Sequence, residues 1–258
     1  MIILVSPAKT LDFDSKSPTN KAEKPLFTKQ SEKLIKELQK LKPDDVKSLM
    51  SISDKLAELN YNRFQEWTKN HDKQNAKQAV FAFKGDVYTG LDAESLSPKE
   101  IDFCHKHLRI LSGLYGMIRP LDFIQPYRLE MGTKFPENKL AKNLYEFWKE
   151  TVTDEVNDTL KKMKSNLIIN LASNEYFKVI DTKKLDGKIV SPVFKDEKKG
   201  TYKVIAFYAK KARGLMTRYI IKNNITDTES LQGFDYAGYS YNPEMSKPNE
   251  PVFTRPEQ

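Results

Sequence analysis

Between His107 and Gly132 the chain reads HLRILSGLYGMIRPLDFIQPYRLEMG, setting Arg109, Arg119, Arg128, Glu130, Tyr115 and Tyr127 among Leu, Ile, Met and Phe. Charges embedded in apolar sequence must pair with one another or face a polar cleft, because an isolated buried charge is too costly. The stretch reads as the wall of a site, without saying which site. Lys9 is different. It follows the apolar run Ile2–Val5 and the proline-stiffened turn Ser6-Pro7, the place where open sheets display site residues. An amine held there binds an anion, or acts as a nucleophile if desolvation lowers its pKa. Asn170, Ser173, Glu175, Tyr176 and Lys178 repeat the pattern at and after the end of LIINL, and Lys210, Lys211, Arg213 and Arg218 follow YKVIAFY. The three strand ends could converge on one basic, polar cleft.

A different kind of signal lies at Leu49–Ala57, LMSISDKLA, which aligns with the helix-hairpin-helix pattern. That turn reads apolar, Gly, apolar, Gly between two helices and points backbone N–H groups at a nucleic-acid phosphate. Here Ser51 and Ser53 replace both glycines and Asp54 opposes a phosphate, while Lys47, Lys55 and Arg63 favour one. A helical hairpin capped by Ser53 is the alternative, and the residues leave both open. Gly113 and Gly116 read as a tight turn, and Lys84-Gly85-Asp86 carries too few glycines for a phosphate loop. Cys104, His105 and His107 are close in sequence, but His71 is the only other histidine, so no metal site and no cofactor are expected.

The elements that must position these groups follow from periodicity. Ile2–Val5 reads as a buried strand and 12–25 as an irregular loop. Helices are expected over 26–41, from Pro43, from Ser53-Asp54 through Trp67, over 98–107, over 140–163 and over 209–222. Strands are expected over 80–87, 108–111, 167–171, 188–194 and 202–208, with 236–241 and 252–253 closing the sheet. Strands and helices mix without a sustained βαβ period, repeat or linker. The expectation is an α/β (α+β mixed) fold: a single domain over 1–258 with a mixed sheet, flanking helices and a helix-hairpin-helix insertion at 43–64.

Composition narrows the function classes. The chain has 43 Lys and Arg against 35 Asp and Glu, a formal charge of +8 over 258 residues, which favours an anionic partner. The lone Cys104 excludes an internal disulfide and fits a reducing compartment. The N-terminal apolar run is short and lacks a basic flank, so it reads as a strand and not as a signal peptide. No apolar run is long enough for a membrane span, and a cytoplasmic location with no membrane partner is expected.

Five separated motifs, Ser6–Thr10, Phe83–Tyr88, Leu108–Gly132, Asn170–Tyr176 and Lys210–Gly214, resemble the YaaA peroxide-stress family over essentially the whole chain. The resemblance implies a cytosolic bacterial protein that limits oxidative damage by restraining free iron. It also implies a positively charged cleft, a helix-hairpin-helix, and binding to duplex and branched or bubble DNA. On that expectation Lys9, Lys84, Arg109, Arg119, Arg128, Lys210 and Arg213 hold phosphates in the cleft. Lys47, Ser51, Ser53, Lys55 and Arg63 clamp the backbone at the hairpin, and Tyr115 and Tyr127 stack on unpaired bases. A monomer is expected. The rival reading is an enzyme acting on a nucleotide or damaged DNA, with Lys9 as an anion-binding or Schiff-base lysine beside Asp86 or Glu130.

Overall fold

Strand β1 (Ile2–Val5) is buried along its whole length, and the chain turns into the short strand β2 (Thr10–Leu11). The leucine-spaced segment becomes α1 (Thr28–Leu38), Pro43 opens α2 (Pro43–Met50), and α3 (Asp54–Glu66) completes a helical hairpin. The expected strand over 80–87 is instead broken up into β3 (Lys77–Gln78), a single turn α4 (Ala79–Ala82), β4 (Phe83–Lys84) and α5 (Asp86–Leu91). Ala79–Phe83 is buried on every side. A short run buried on every side has no periodicity by which helix and strand could be told apart.

Ser97 and Glu100 bond reciprocally at the start of α6 (Pro98–His107), with Ser97 N–H donating to Glu100 Oε2 at 2.7 Å. Strands β5 (Leu108–Ser112) and β6 (Gly116–Ile118) flank the expected tight turn. Gly116 sits there at φ +69°, with Trp148 so close that an added Cβ would lie 2.6 Å from its ring. Next come β7 (Phe123–Ile124), α7 (Leu144–Lys162), β8 (Leu167–Asn170) and the single turn α8 (Asn174–Phe177). The expected start of the long helix at Leu140 lies outside the described residues; the computed structural model describes residues 1–135 and 141–257.

The expected strand over 188–194 is two, β9 (Lys188–Val190) and β10 (Val193–Lys198), separated at Pro192, which has no N–H to give a ladder. The expected strand over 202–208 is also shorter. β11 (Thr201–Lys203) ends early and α9 (Ala206–Lys222) takes over, because Ala209, Ala212, Met216 and Ile220 bury a helical stripe. Strands β12 (Ser240–Tyr241) and β13 (Val252–Arg255) finish the chain.

The result is an α/β fold. Its main sheet has the order β6-β5-β1-β8-β9, parallel except for β6, with β1 at the centre. The later strands form a second sheet, β11-β10-β13-β12, rather than closing the first. One continuous apolar core joins Ile2–Val5 to Phe194 and Phe253. From β1 the chain reaches β5 and β6 on one side, and it later adds β8 and β9 on the other. The gap past the carboxyl ends of β1 and β8 is therefore a topological switch point, where open sheets bind ligands. Among the described residues no helix is long and apolar enough to cross a membrane.

Candidate functional site

At the switch point the segments leaving β1 and β8 are tied side by side. Leu171 N–H donates to the Leu4 carbonyl at 2.8 Å, and Ser173 N–H donates to Ser6 Oγ at 2.9 Å. Ser6 Oγ in turn donates to Ser173 Oγ at 3.2 Å, and Tyr88 Oη donates to the Ser6 carbonyl at 3.1 Å. Pairing of Thr10 with Lys84 in β2 and β4 sets Lys9 and Lys84 on one rim. Helices α5 and α9 cross in backbone contact: a Cβ at Gly214 would strike the Val87 carbonyl, and one at Gly90 the Lys211 carbonyl. That crossing brings Lys210 and Arg213 to the cleft that Asp86 enters from the first turn of α5. The Leu129 carbonyl packs on Gly113, which brings Glu130 to the opposite rim.

These contacts enclose a cleft of about 300 Å³. Lys9, Lys84, Lys210 and Arg213 line it together with Asp86, Glu130 and Glu175, so it is mixed in charge rather than uniformly basic. Most of its charges are already answered. Lys9 Nζ lies 3.2 Å from Glu130 Oε1, which also accepts from Arg128 Nη2 at 2.9 Å. Lys84 Nζ lies 3.2 Å from Asp12 Oδ2 and 3.3 Å from Glu94 Oε1, and these partners raise its pKa. Two Ser15 hydrogen bonds, then Lys84, hold the Asp12 carboxyl well below the usual range. Glu175 Oε1 accepts from Gly132 N–H at 3.0 Å.

Lys210 and Arg213 differ. Among the described residues neither has an acid within ion-pair distance, Asp86 included. Arg213 is half-buried, and burial lowers its pKa from the ordinary guanidinium value. A guanidinium stays charged there, and with no counter-ion it is the group in the cleft with most to gain from an incoming anion. Tyr88 and Tyr176 are buried at the base; burial raises both phenols, so they remain protonated donors at neutral pH.

Several expected site residues lie elsewhere. Tyr115 and Tyr127 are 0% and 4% exposed, so neither ring can meet a base. Tyr115 Oη accepts from Trp67 Nε1 at 3.0 Å and Gln125 N–H at 3.1 Å and lies 3.1 Å from His71 Nε2, while Tyr127 Oη lies 2.6 Å from Ser112 Oγ. Arg109 is buried, and its Nη1 donates to the carbonyls of His105, Lys106 and Leu108, capping the end of α6. Arg119 pairs with Glu23 and with the buried Asp122. Arg128 stands behind Glu130 rather than in the cleft lining. Of the three arginines, Arg119 and Arg128 are paired with acids, whereas Arg109 follows neither expectation: it is buried against carbonyls alone, and its Nε has no hydrogen-bond partner. Of the neighbouring histidines, His105 bonds Glu23 at 3.1 Å and His107 donates to the Met1 carbonyl at 2.8 Å.

The hairpin residues are separate from the cleft. Lys47, Ser51, Ser53 and Lys55 are exposed on the α2–α3 hairpin, with Lys47 paired to Asp54 and Ser51 left-handed at φ 51°. Arg63 instead faces a larger groove of about 690 Å³ beside the 13–20 loop. Many of that groove's polar groups are spent on each other: Ser17 donates to Gln78, Gln78 to the Thr19 and Lys21 carbonyls, and Lys77 to the Ser15 carbonyl. Lys16 and Arg63 there have no acid in ion-pair distance among the described residues, so this groove too keeps open cations alongside its stitched polar groups. Sequence reasoning missed the α5–α9 crossing, although Gly90 and Gly214 inside helical patterns were its available signal.

Comparison with known proteins adds a family likeness over the whole chain. The family model described as "Peroxide stress protein YaaA" matches residues 1–245. A UPF0246 protein of Shewanella pealeana is 57% identical over 258 residues, covering 100% of both chains. UPF0246 proteins of Shewanella sp. (strain ANA-3) and Teredinibacter turnerae are each 55% identical, over 258 and 255 residues, with 100% and 99% of each chain covered.

Proposed function

Since the chain belongs to the YaaA peroxide-stress family, we propose that it binds DNA without reading sequence, through the strand-end cleft and the 43–64 hairpin, and thereby limits peroxide damage linked to free iron. The observation that carries this reading is the uncompensated pair Lys210 and Arg213 at the switch point of the main sheet. A volume of about 300 Å³ suits a phosphodiester with its sugar and not the width of a duplex. The hairpin adds a second contact. The Ser53 side chain makes no capping bond, which leaves first-turn N–H groups of α3 for an outside acceptor, and Lys55 is exposed beside them.

Fluorescence anisotropy with labelled duplex and bubble DNA over a salt series tests the reading. Affinity is expected to fall steeply with salt, and Arg213→Ala and Lys55→Ala each to weaken binding and flatten the log–log slope by about 1. An affinity that does not change between low and moderate salt rejects it.

One contact supports a second reading. Lys9 Nζ and Glu130 Oε1 are 3.2 Å apart in the cleft, so a carboxylate stands within proton-transfer distance of the amine. Such an amine can attack the aldehyde of an abasic site and release water to form a Schiff base. Borohydride should then trap a covalent adduct that Lys9→Ala abolishes, and trapping without any dependence on Lys9 rejects it.

A further inference from the structure

The buried tyrosines leave the DNA reading without a stacking residue, and α9 supplies one. Phe207 is 59% exposed, the most exposed of the large apolar side chains among the described residues. It lies in the first turn of α9, three residues before Lys210 and six before Arg213. Residues three apart on a helix are surface neighbours, so Phe207 adjoins Lys210 and Lys210 adjoins Arg213, the last two lining the cleft.

The surroundings fix which side a ligand can take. The Tyr208 ring is occupied, with the Arg255 guanidinium 4.7 Å from its centroid, and it meets Phe207 edge-on at 5.7 Å. Tyr208 thus buttresses Phe207 and leaves that ring to the solvent. On the far flank Phe207 and Tyr208 share a hollow with Glu197, Glu257 and Lys198, and with Asp196, which Arg255 neutralises, so acids outnumber cations there and a phosphate is favoured less than in the cleft. Toward the cleft stand Lys210 and Arg213. A ligand that uses this row must therefore carry a flat apolar ring and, a few ångströms away, an anion.

We propose that Phe207 is a stacking platform for an unpaired nucleobase whose phosphate is held by Lys210 and Arg213. This rests on the DNA-binding reading and narrows it. A base in a duplex is stacked on both faces and cannot lie on the ring, so the row discriminates bubble or single-stranded segments from paired ones.

The test measures anisotropy of the full chain with bubble and duplex DNA, plus fluorescence of a 2-aminopurine placed in the bubble. Phe207→Ala should lower bubble affinity roughly 5- to 150-fold, the range of one base stack, and leave duplex affinity within about twofold. It should also abolish 2-aminopurine quenching, and Phe207→Trp should restore both. Because the ring is exposed, the variants should melt like wild type. Equal effects on bubble and duplex, or no effect on either, overturn the platform. Should Arg213→Ala weaken both DNAs while Phe207→Ala does nothing, the DNA reading stands and the platform alone fails. Should wild type bind neither DNA, both fall.

Discussion

Segment 107–132 and the strand-end cleft use the same side chains in opposite circumstances. In the segment, Arg109 caps α6, Arg119 clamps Asp122, and the Tyr115 hydroxyl gathers Trp67, His71 and Gln125. These groups find partners inside the fold, with one exception among the described residues: the buried Nε of Arg109 has none. In the cleft, Lys9 and Lys84 are paired, yet Lys210 and Arg213 are left open. A polar group saturated by the fold stabilises and specifies it, whereas one left open keeps its interaction energy for a ligand. Among the described residues the cleft is distinguished by two neighbouring cations, Lys210 and Arg213, that line it with no acid in ion-pair distance.

Removing a residue from each region should separate the two roles. Arg119→Ala leaves the fully buried Asp122 without its cation and should cost about 3–5 kcal/mol, read from the denaturant midpoint, with DNA affinity of the folded protein unchanged. A loss below about 1 kcal/mol would break the contrast. Tyr115→Phe strips one hydroxyl from three buried partners and should cost about 1–3 kcal/mol. Ser51→Gly should do the reverse. Ser51 holds φ 51°, which a side chain resists, so glycine should stabilise by about 1 kcal/mol and tighten binding if a phosphate meets the hairpin. Arg213→Ala should change stability by less than about 1 kcal/mol in either direction, since the fold gives this guanidinium no partner to lose. The binding assay should nevertheless register its removal.

The contrast also shows what a single sequence can carry. Ile2–Val5 and LIINL were legible as buried strands, and the rule that open sheets bind ligands at strand ends led from them to Lys9 and Ser173. Helices with apolar spacing, such as Leu34, Ile35 and Leu38, were legible for the same reason. Partner choice was not. Arg119 meets Glu23 and Lys9 meets Glu130 across long stretches of chain, and no local pattern reports such a meeting. YKVIAFY failed in a related way. Its β-rich composition suited a strand, but the small and apolar residues after Tyr208 bury a helical stripe that recruits Ala206–Tyr208 into α9, turning Phe207 outward. Packing beyond the local window decided both the element and the exposure of Phe207.

The smallest effect expected is none, and it bears directly on a peroxide-stress family. Cys104 is fully buried, and burial pushes its thiol up to about 12. Since the thiolate is the reactive form, only about one molecule in 10⁴ carries it at pH 8, and that one is shielded by the core. Peroxide should therefore leave Cys104 reduced in the folded protein, while the exposed Met245 gains oxygen first. Intact and peptide mass spectrometry after graded peroxide treatment reads both sites in one experiment. Cys104 belongs with segment 107–132 on the closed side of the comparison. If it were oxidised before the fold melts, with DNA affinity changing in step, burial would not be protecting it, and the molecule would sense peroxide as well as answer it.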